Sequence, residues 1–302
     1  MKNEEDAPLK AYLAERKRRV DEALDRCLPT EDFFPPAIFQ AMRYSLFAGG
    51  KRLRPILCMA AAEAVGGEAD PVLPAACALE MIHTYSLIHD DLPAMDDDDF
   101  RRGKPTCHKV FCENIAILAG DALLTEAFHL LAGRELAERV PEKAVVAAVR
   151  LVAEAAGFSG MVGGQVVDVL SEGKPADADT LQYIHSRKTG AMIVASVKLG
   201  AVLAGAGEEQ LAALASYGGR AGLAFQIADD ILNVEGDREL LGKDTGSDAC
   251  RRKMTYPGLL GLDAARDKAR ELVDSAVEDL AGFDERADPL RKIAQYILDR
   301  KS

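Results

Sequence analysis

Residues 71–92 read PVLPAACALEMIHTYSLIHDDL, an almost unbroken apolar run that ends on two aspartates. The run shows no period-two alternation, and its length suits a helix better than a strand. Apolar side chains stand on every face of that helix, so burial on most sides is expected. Its C-terminal end then carries acid into the interior of the fold.

The acid continues. Residues 90–99 read DDLPAMDDDD, six carboxylates within ten positions. Pro93 stops the helix, which leaves Asp90 and Asp91 at a helix C-terminus, where the dipole disfavours anions. The turn is expected to bring Asp96 back beside them. Such crowding is costly without a cation to hold. FRRGKPT follows at residues 100–106, placing Arg101, Arg102 and Lys104 beside the acids. Magnesium takes one or two carboxylates and completes its shell with phosphate oxygens, and arginine grips phosphates bidentately, so a metal-bound anionic substrate suits this pairing. A solvated acidic loop neutralised by its own arginines would read similarly, and a calcium loop would need a DxDxDG spacing that is missing.

A second acidic group lies at 226–233, QIADDILN. The i, i+3, i+4, i+7 spacing turns Gln226, Asp229, Asp230 and Asn233 toward one helix face, among apolar Phe225, Ile227, Ile231 and Leu232. Carboxylates in such surroundings need a partner charge or a metal. Residues 49–54, GGKRLR, add three cations after two glycines. By themselves they would suit a solvated turn equally well, and Walker spacing is absent.

Turn-related apolar spacing predicts further helices over 8–27, 35–48, 51–65, 113–133, 141–171, 177–204, 208–235, 256–281 and 288–299. Gly66-Gly67, Gly173-Lys174-Pro175 and Gly205-Ala206-Gly207 punctuate the chain, none of them long enough for an interdomain linker. The expected architecture is all-α: a single domain over 1–302, one large helical bundle around a deep central cavity. Apolar residues make up 48% of the 302, enough for a sizeable core, and charged residues 28%. A net charge of -12 argues against nucleic acid, which asks for a basic stripe. An acidic protein that binds phosphates needs a cation. No export signal is visible at the N-terminus, and the run AVVAAVRLVAEAAG is broken by Arg150 and Glu154, so no membrane span is expected. The six cysteines form no CxxC pair and read as reduced thiols of a cytoplasmic protein. Cys107, His108 and Cys112 match no standard zinc spacing.

Taken together, GGKRLRP, IHTYSLIHDDLPAMDDDDFRRGKPT, GGQVVDV, RKTGAM, QIADDILNVEGD, LGKDTGSD and KMTYP resemble the short-chain trans-prenyl diphosphate synthases, in particular the bacterial farnesyl diphosphate synthase type. The likeness spans roughly residues 40 to 262, with the motifs in family order. It implies the isoprenoid synthase fold, a homodimer, and condensation of dimethylallyl or geranyl diphosphate with isopentenyl diphosphate, ending at farnesyl diphosphate. It also implies three magnesium ions held by Asp90, Asp91, Asp96, Asp229 and Asp230. Lys188, Lys243, Arg101 and Asp168 match positions around the allylic diphosphate. Lys51, Arg54, His83 and Arg102 match the isopentenyl diphosphate pocket, and Thr189 and Gln226 match positions near the developing allylic cation. Tyr85, with its small neighbour Ser86, matches the position that limits product length.

The family's second motif usually ends in Asp where this chain has Asn233, which offers a neutral oxygen only. Geranylgeranyl diphosphate synthase is the alternative product assignment. A terpene cyclase fits DDILNVEGD loosely but has no use for the GGKRLRP and RRGKPT cations. A silent partner subunit would not need Asp90, Asp91, Asp229 and Asp230 intact.

Overall fold

A computed structural model describes residues 7–175, 177–235 and 254–299; Lys243, Cys250 and the LGKDTGSD stretch lie outside the described residues. The decisive run folds as helix α4, Leu73–Asp90, after α1 (Ala7–Cys27), α2 (Pro36–Leu46) and α3 (Leu53–Ala64). Most of α4 is buried, including Ala75, Ala76, Cys77, Ala78, Leu79, Met81 and Ile82. Alanines on several faces let neighbouring helices approach from several directions, and α4 touches α1, α2, α3 and α6 (Glu113–Leu131).

The remaining elements are α5 (Cys107–Phe111), α7 (Arg134–Ala137), α8 (Glu142–Ala156), α9 (Met161–Ser171), α10 (Ala178–Ile184), a π-helical segment (His185–Gly190) and α11 (Ala191–Leu203). The long helix α12 (Glu208–Glu235), α13 (Tyr256–Leu260), α14 (Leu262–Asp279) and α15 (Asp288–Asp299) follow. Helices α3 and α11 form the seam between two core clusters. They meet closely at Gly200, where a Cβ would collide with the Cys58 carbonyl oxygen, so only glycine fits.

The all-α expectation holds. A two-residue hairpin, β1 (Phe100–Arg101) with β2 (Lys104–Pro105), is the one strand pair among the described residues. Its turn carries positive φ at Arg102 and Gly103, the conformation of a tight type I′ hairpin.

Several helix expectations are corrected. The stretch 141–171 is two helices, because the chain breaks into a turn at 157–160; a Cβ on Gly160 would collide with the Ala155 carbonyl oxygen. The stretch 177–204 contains the π segment, and 256–281 is split at Gly261, whose φ is +82. Helix 51–65 begins later, since Arg52 adopts a left-handed backbone.

No clear membrane span stands out among the described residues, although two stretches approach one in composition. Glu113–Ala137 and Glu142–Ser171 are long and apolar enough by composition to cross a bilayer, with 33% of each window buried. Each is interrupted by a turn, after Leu131 and after Ala156, so neither is one straight rod. Ile117, Leu118, Val146, Phe158, Val162 and Val166 are exposed on them.

Candidate active site

The end of α4 forms the first rim. Pro93 ends the helix, and the chain folds back so that the Asp96 amide donates to the Asp90 carbonyl at 2.8 Å. Asp97 takes a left-handed backbone and points out. The run 96–99 thereby alternates: Asp96 and Asp98 turn inward and line a cavity of about 390 Å³ together with Asp90, while Asp97 and Asp99 are exposed.

Asp91 does something else. It is 3% exposed and lies below the rim, outside that cavity lining. The Arg101 guanidinium donates to it through Nε at 2.6 Å and pairs with it through Nη2 at 2.5 Å, with a longer contact from Nη2 to Asp98 at 3.4 Å. Burial raises the Asp91 carboxyl, partly offset by Arg101; burial would lower Arg101, but Asp91, Asp98 and Asp90 hold it up. Asp91 therefore aims an arginine at the cavity instead of standing in it. The sequence expectation grouped it with the cation ligands and passed over Asp98, because the aspartates of this run look alike until burial separates them.

Helix α12 supplies the opposite rim, where Gln226, Asp229, Asp230 and Asn233 line the same cavity as their spacing predicts. Asp230 is braced: it accepts from the Tyr256 amide at 3.0 Å and from Gln226 Nε2 at 3.2 Å, with His185 Nε2 at 3.7 Å. His185 was not foreseen. Burial, followed by Lys188, lowers its pKa to about 4 against the pull of Asp168, so it is neutral near pH 7.

The π segment closes the third side. Its extra residue per turn reorients the chain within an otherwise helical stretch, and Lys188 and Thr189 both reach the cavity. Lys188 donates to Asp168 at 2.7 Å, and the Thr189 hydroxyl donates to Gln226 Oε1 at 2.9 Å. Burial would lower the Lys188 ammonium, but Asp168, Asp90 and Asp96 outweigh it and keep it charged.

Behind the first cavity lies a second, of about 650 Å³, sharing Arg54, His83, Arg102 and Phe225 as a common wall. Lys51 joins them there, so all four residues expected at a second diphosphate meet in one place. Arg52 and Glu80 also border this cavity, and Leu13, Ile293, Tyr296 and Ile297 from α1 and α15 add apolar lining that no motif announced. Gly49 and Gly50 have positive φ, and a Cβ on Gly50 would meet the Arg102 guanidinium at 2.6 Å, so the glycines make room for that arginine. Arg102 in turn donates to the Gly49 carbonyl. Arg54 Nε is buried with no hydrogen-bond partner, as a donor awaiting an anion would be. Burial, then Arg54 and Arg102, push His83 well below its usual pKa, so it adds no charge to this wall near neutrality.

The donor set of the first cavity suits a hard cation: carboxylates from two rims, with no cysteine among its lining. Among the described residues no three acidic, histidine or cysteine side chains converge on one point as a ready-made cage. That fits magnesium, which keeps several non-protein oxygens, and Asp90, Asp96, Asp98, Asp229 and Asp230 are the residues that would hold it. Tyr85 sits in the core beneath the rim, its ring nearly perpendicular to that of His89 at 5.7 Å. The Ser86 hydroxyl donates to the His83 carbonyl.

Residues 35–295 match the sequence profile of the family described as Polyprenyl synthetase. A dimethylallyltranstransferase of Fischerella ambigua (strain UTEX 1903) is 49% identical over 290 residues, covering 96% of this chain and 83% of that protein. A geranylgeranyl diphosphate synthase of Cyanophora paradoxa is 48% identical, covering 97% of both. Among solved structures, an FPP/GFPP synthase from Zymomonas mobilis superposes with a TM-score of 0.86 at 38% identity, covering 96% of this chain and 99% of that one. A geranyltransferase from Helicobacter pylori, complexed with magnesium and isoprenyl diphosphate, gives 0.84 at 32%, covering 97% of each chain.

Proposed function

The chain belongs to the polyprenyl synthetase family, and from that premise we propose that it joins an allylic diphosphate to isopentenyl diphosphate with release of inorganic pyrophosphate. One observation carries this reading: two carboxylate rims face each other across a cavity that shares its back wall with an arginine-lined second cavity. The prenyltransferase needs two diphosphates side by side, whereas a cyclase needs one.

The allylic diphosphate occupies the first cavity with its phosphates toward the rims. Magnesium bound there would neutralise the leaving diphosphate, as the Helicobacter protein's complex with magnesium and isoprenyl diphosphate suggests by analogy. Lys188 and Arg101 add positive charge where the leaving group becomes more negative, which lowers the barrier to breaking the C–O bond. Lys243 is proposed for the same role. Thr189 Oγ1 and Gln226 Oε1, fixed to each other, present lone pairs toward the allylic cation. Lys51, Arg54 and Arg102 hold isopentenyl diphosphate so that its double bond attacks that cation. The new C–C bond forms, and a proton leaves the adjacent carbon for the departing diphosphate, so no protein nucleophile is needed. Apolar walls such as Leu87, Ile184 and Phe225 keep water from the cation.

Product length has two readings. Seven of the similar curated proteins are named geranylgeranyl synthases or a subunit of one, which makes the twenty-carbon product the leading one. Tyr85 favours the fifteen-carbon product through the family resemblance: it is a buried ring about one and a half turns before Asp90 on the same helix, next to Asp90's cavity but not in its lining. Incubation with magnesium, isopentenyl diphosphate and geranyl diphosphate, followed by chromatography, distinguishes them. Hydrocarbons in place of longer diphosphates would overturn the synthase reading. The exposed apolar stretch of α6, α8 and α9 further supports a homodimer, and a cytoplasmic location completes the proposal.

A further inference from the structure

Arg52 stands between Lys51 and Arg54 in the GGKRLR stretch and borders the same cavity, yet its guanidinium is already taken up by protein acceptors. Its side chain is 1% exposed and fully engaged: Nε donates to Asp21 at 2.7 Å, Nη1 to Glu80 at 2.8 Å and Nη2 to the Leu46 carbonyl at 2.7 Å. Those acceptors come from α1, α4 and the end of α2, so one guanidinium ties three helices to the loop. The backbone at Arg52 is left-handed, with φ 53 and ψ 35. A non-glycine residue keeps that conformation only where its surroundings enforce it, and here the three-way grip of the side chain does so. Lys51 and Arg54 flank this left-handed residue at the start of α3, and both line the same cavity.

Glu80 completes the device. It is 1% exposed, sits midway along the helix that ends in Asp90, and its charge also acts on Arg54 and Arg102. Three arginines thus converge around one buried carboxylate at the wall between the cavities.

We infer that Arg52, clamped by Glu80 and Asp21, is a positioning residue that sets the geometry of the isopentenyl diphosphate lobe through its hold on the loop and not through its own charge. This rests on the two-diphosphate reading above. It predicts a split effect: loss of the clamp lets Lys51 and Arg54 relax, while the allylic lobe, where Lys188, Asp168 and the two rims surround the shared Arg54, changes far less.

Steady-state condensation kinetics test it, varying each diphosphate at saturating concentration of the other. Arg52→Lys keeps the charge but offers one nitrogen where three are used. It should raise KM for isopentenyl diphosphate about tenfold or more while leaving KM for geranyl diphosphate within about twofold. Should that variant not fold, because Glu80 is left buried and poorly paired, the double variant Arg52→Met with Glu80→Met replaces both partners by apolar side chains. It is expected to melt close to the wild type and to show the same rise in KM. A wild-type KM for isopentenyl diphosphate in the folded double variant, or an equal rise in both KM values, would overturn the inference. Failure of the wild-type protein to condense the two diphosphates would overturn the underlying functional reading instead.

Discussion

Asp90 and Asp91 are neighbours in sequence with different surroundings, and burial is what separates them. Asp90 faces the cavity from a helix C-terminus, where its charge opposes the dipole, so its removal costs the fold little. Asp91 is buried against Arg101. We expect Asp90→Ala to lower kcat on the order of a hundredfold or more with a near-normal melting temperature, since it takes a carboxylate from the site that stabilises the leaving group. Asp91→Ala should instead cost about 1–3 kcal/mol of stability, because Arg101 loses its nearest partner and keeps only the longer contact to Asp98. Paired melting and turnover measurements check both, and a normal kcat for Asp90→Ala would remove the first rim from the chemistry. Tyr85 poses the other question at this scale. Burial, together with the nearby Asp90, pushes its hydroxyl up to about 12, so it is a neutral ring at working pH. Tyr85→Ala opens space beneath the rim, and chromatography of the products should show a shift toward longer chains with condensation retained. An unchanged product in an active variant would mean that the length limit lies elsewhere.

Helix boundaries were less legible than helix existence, and the reasons lie in particular residues. The apolar period of 141–171 runs on through Gly157 and Gly160, so periodicity could not reveal that the helix is interrupted there. The π segment left no signal at all, because one extra residue in a turn keeps the apolar character of its surroundings. The acidic spacing of α12 was readable, since i, i+3, i+4 and i+7 fix a face regardless of what packs on it. Bracing of Asp230 by His185 and the Tyr256 amide was not, as it depends on three separate elements. Gly164 shows how tightly they fit: a Cβ there would collide with the Lys188 amide nitrogen. Gly164→Ala must therefore push the π segment away and displace Lys188 and Thr189. The expected result is a fall in kcat on the order of tenfold to a hundredfold. Gly219, in α12, has nothing within 4 Å of where an added methyl would stand, so Gly219→Ala serves as the control and should stabilise by about 0.5–1 kcal/mol without loss of turnover. Equal turnover in the two variants would dissociate the α9 contact from catalysis.

Across the whole molecule, the two rims belong to distant parts of the chain, α4 with its following loop on one side and α12 on the other. Only the folded bundle brings them together, so a ligand that bridges them binds the native state and not the unfolded chain. Such a ligand raises stability by mass action, about 2.7 kcal/mol at a concentration a hundred times its Kd. The charges set which ligand this can be. Magnesium alone meets carboxylates that do not converge into a closed cage among the described residues, so it gains few protein oxygens. Inorganic pyrophosphate alone meets Lys188 and the arginines but is repelled by Asp90, Asp96, Asp98 and Asp229 in the same cavity. Together each removes the other's obstacle, because the cation bridges carboxylate and phosphate oxygens. Thermal melting should therefore show a small shift, below about 2 °C, with either alone and a shift of roughly 5 °C or more with both. Magnesium alone producing the full shift would mean that the carboxylates form a preassembled cation site. Pyrophosphate alone producing it would mean that the basic residues suffice and that the two acidic rims do not act as one clamp.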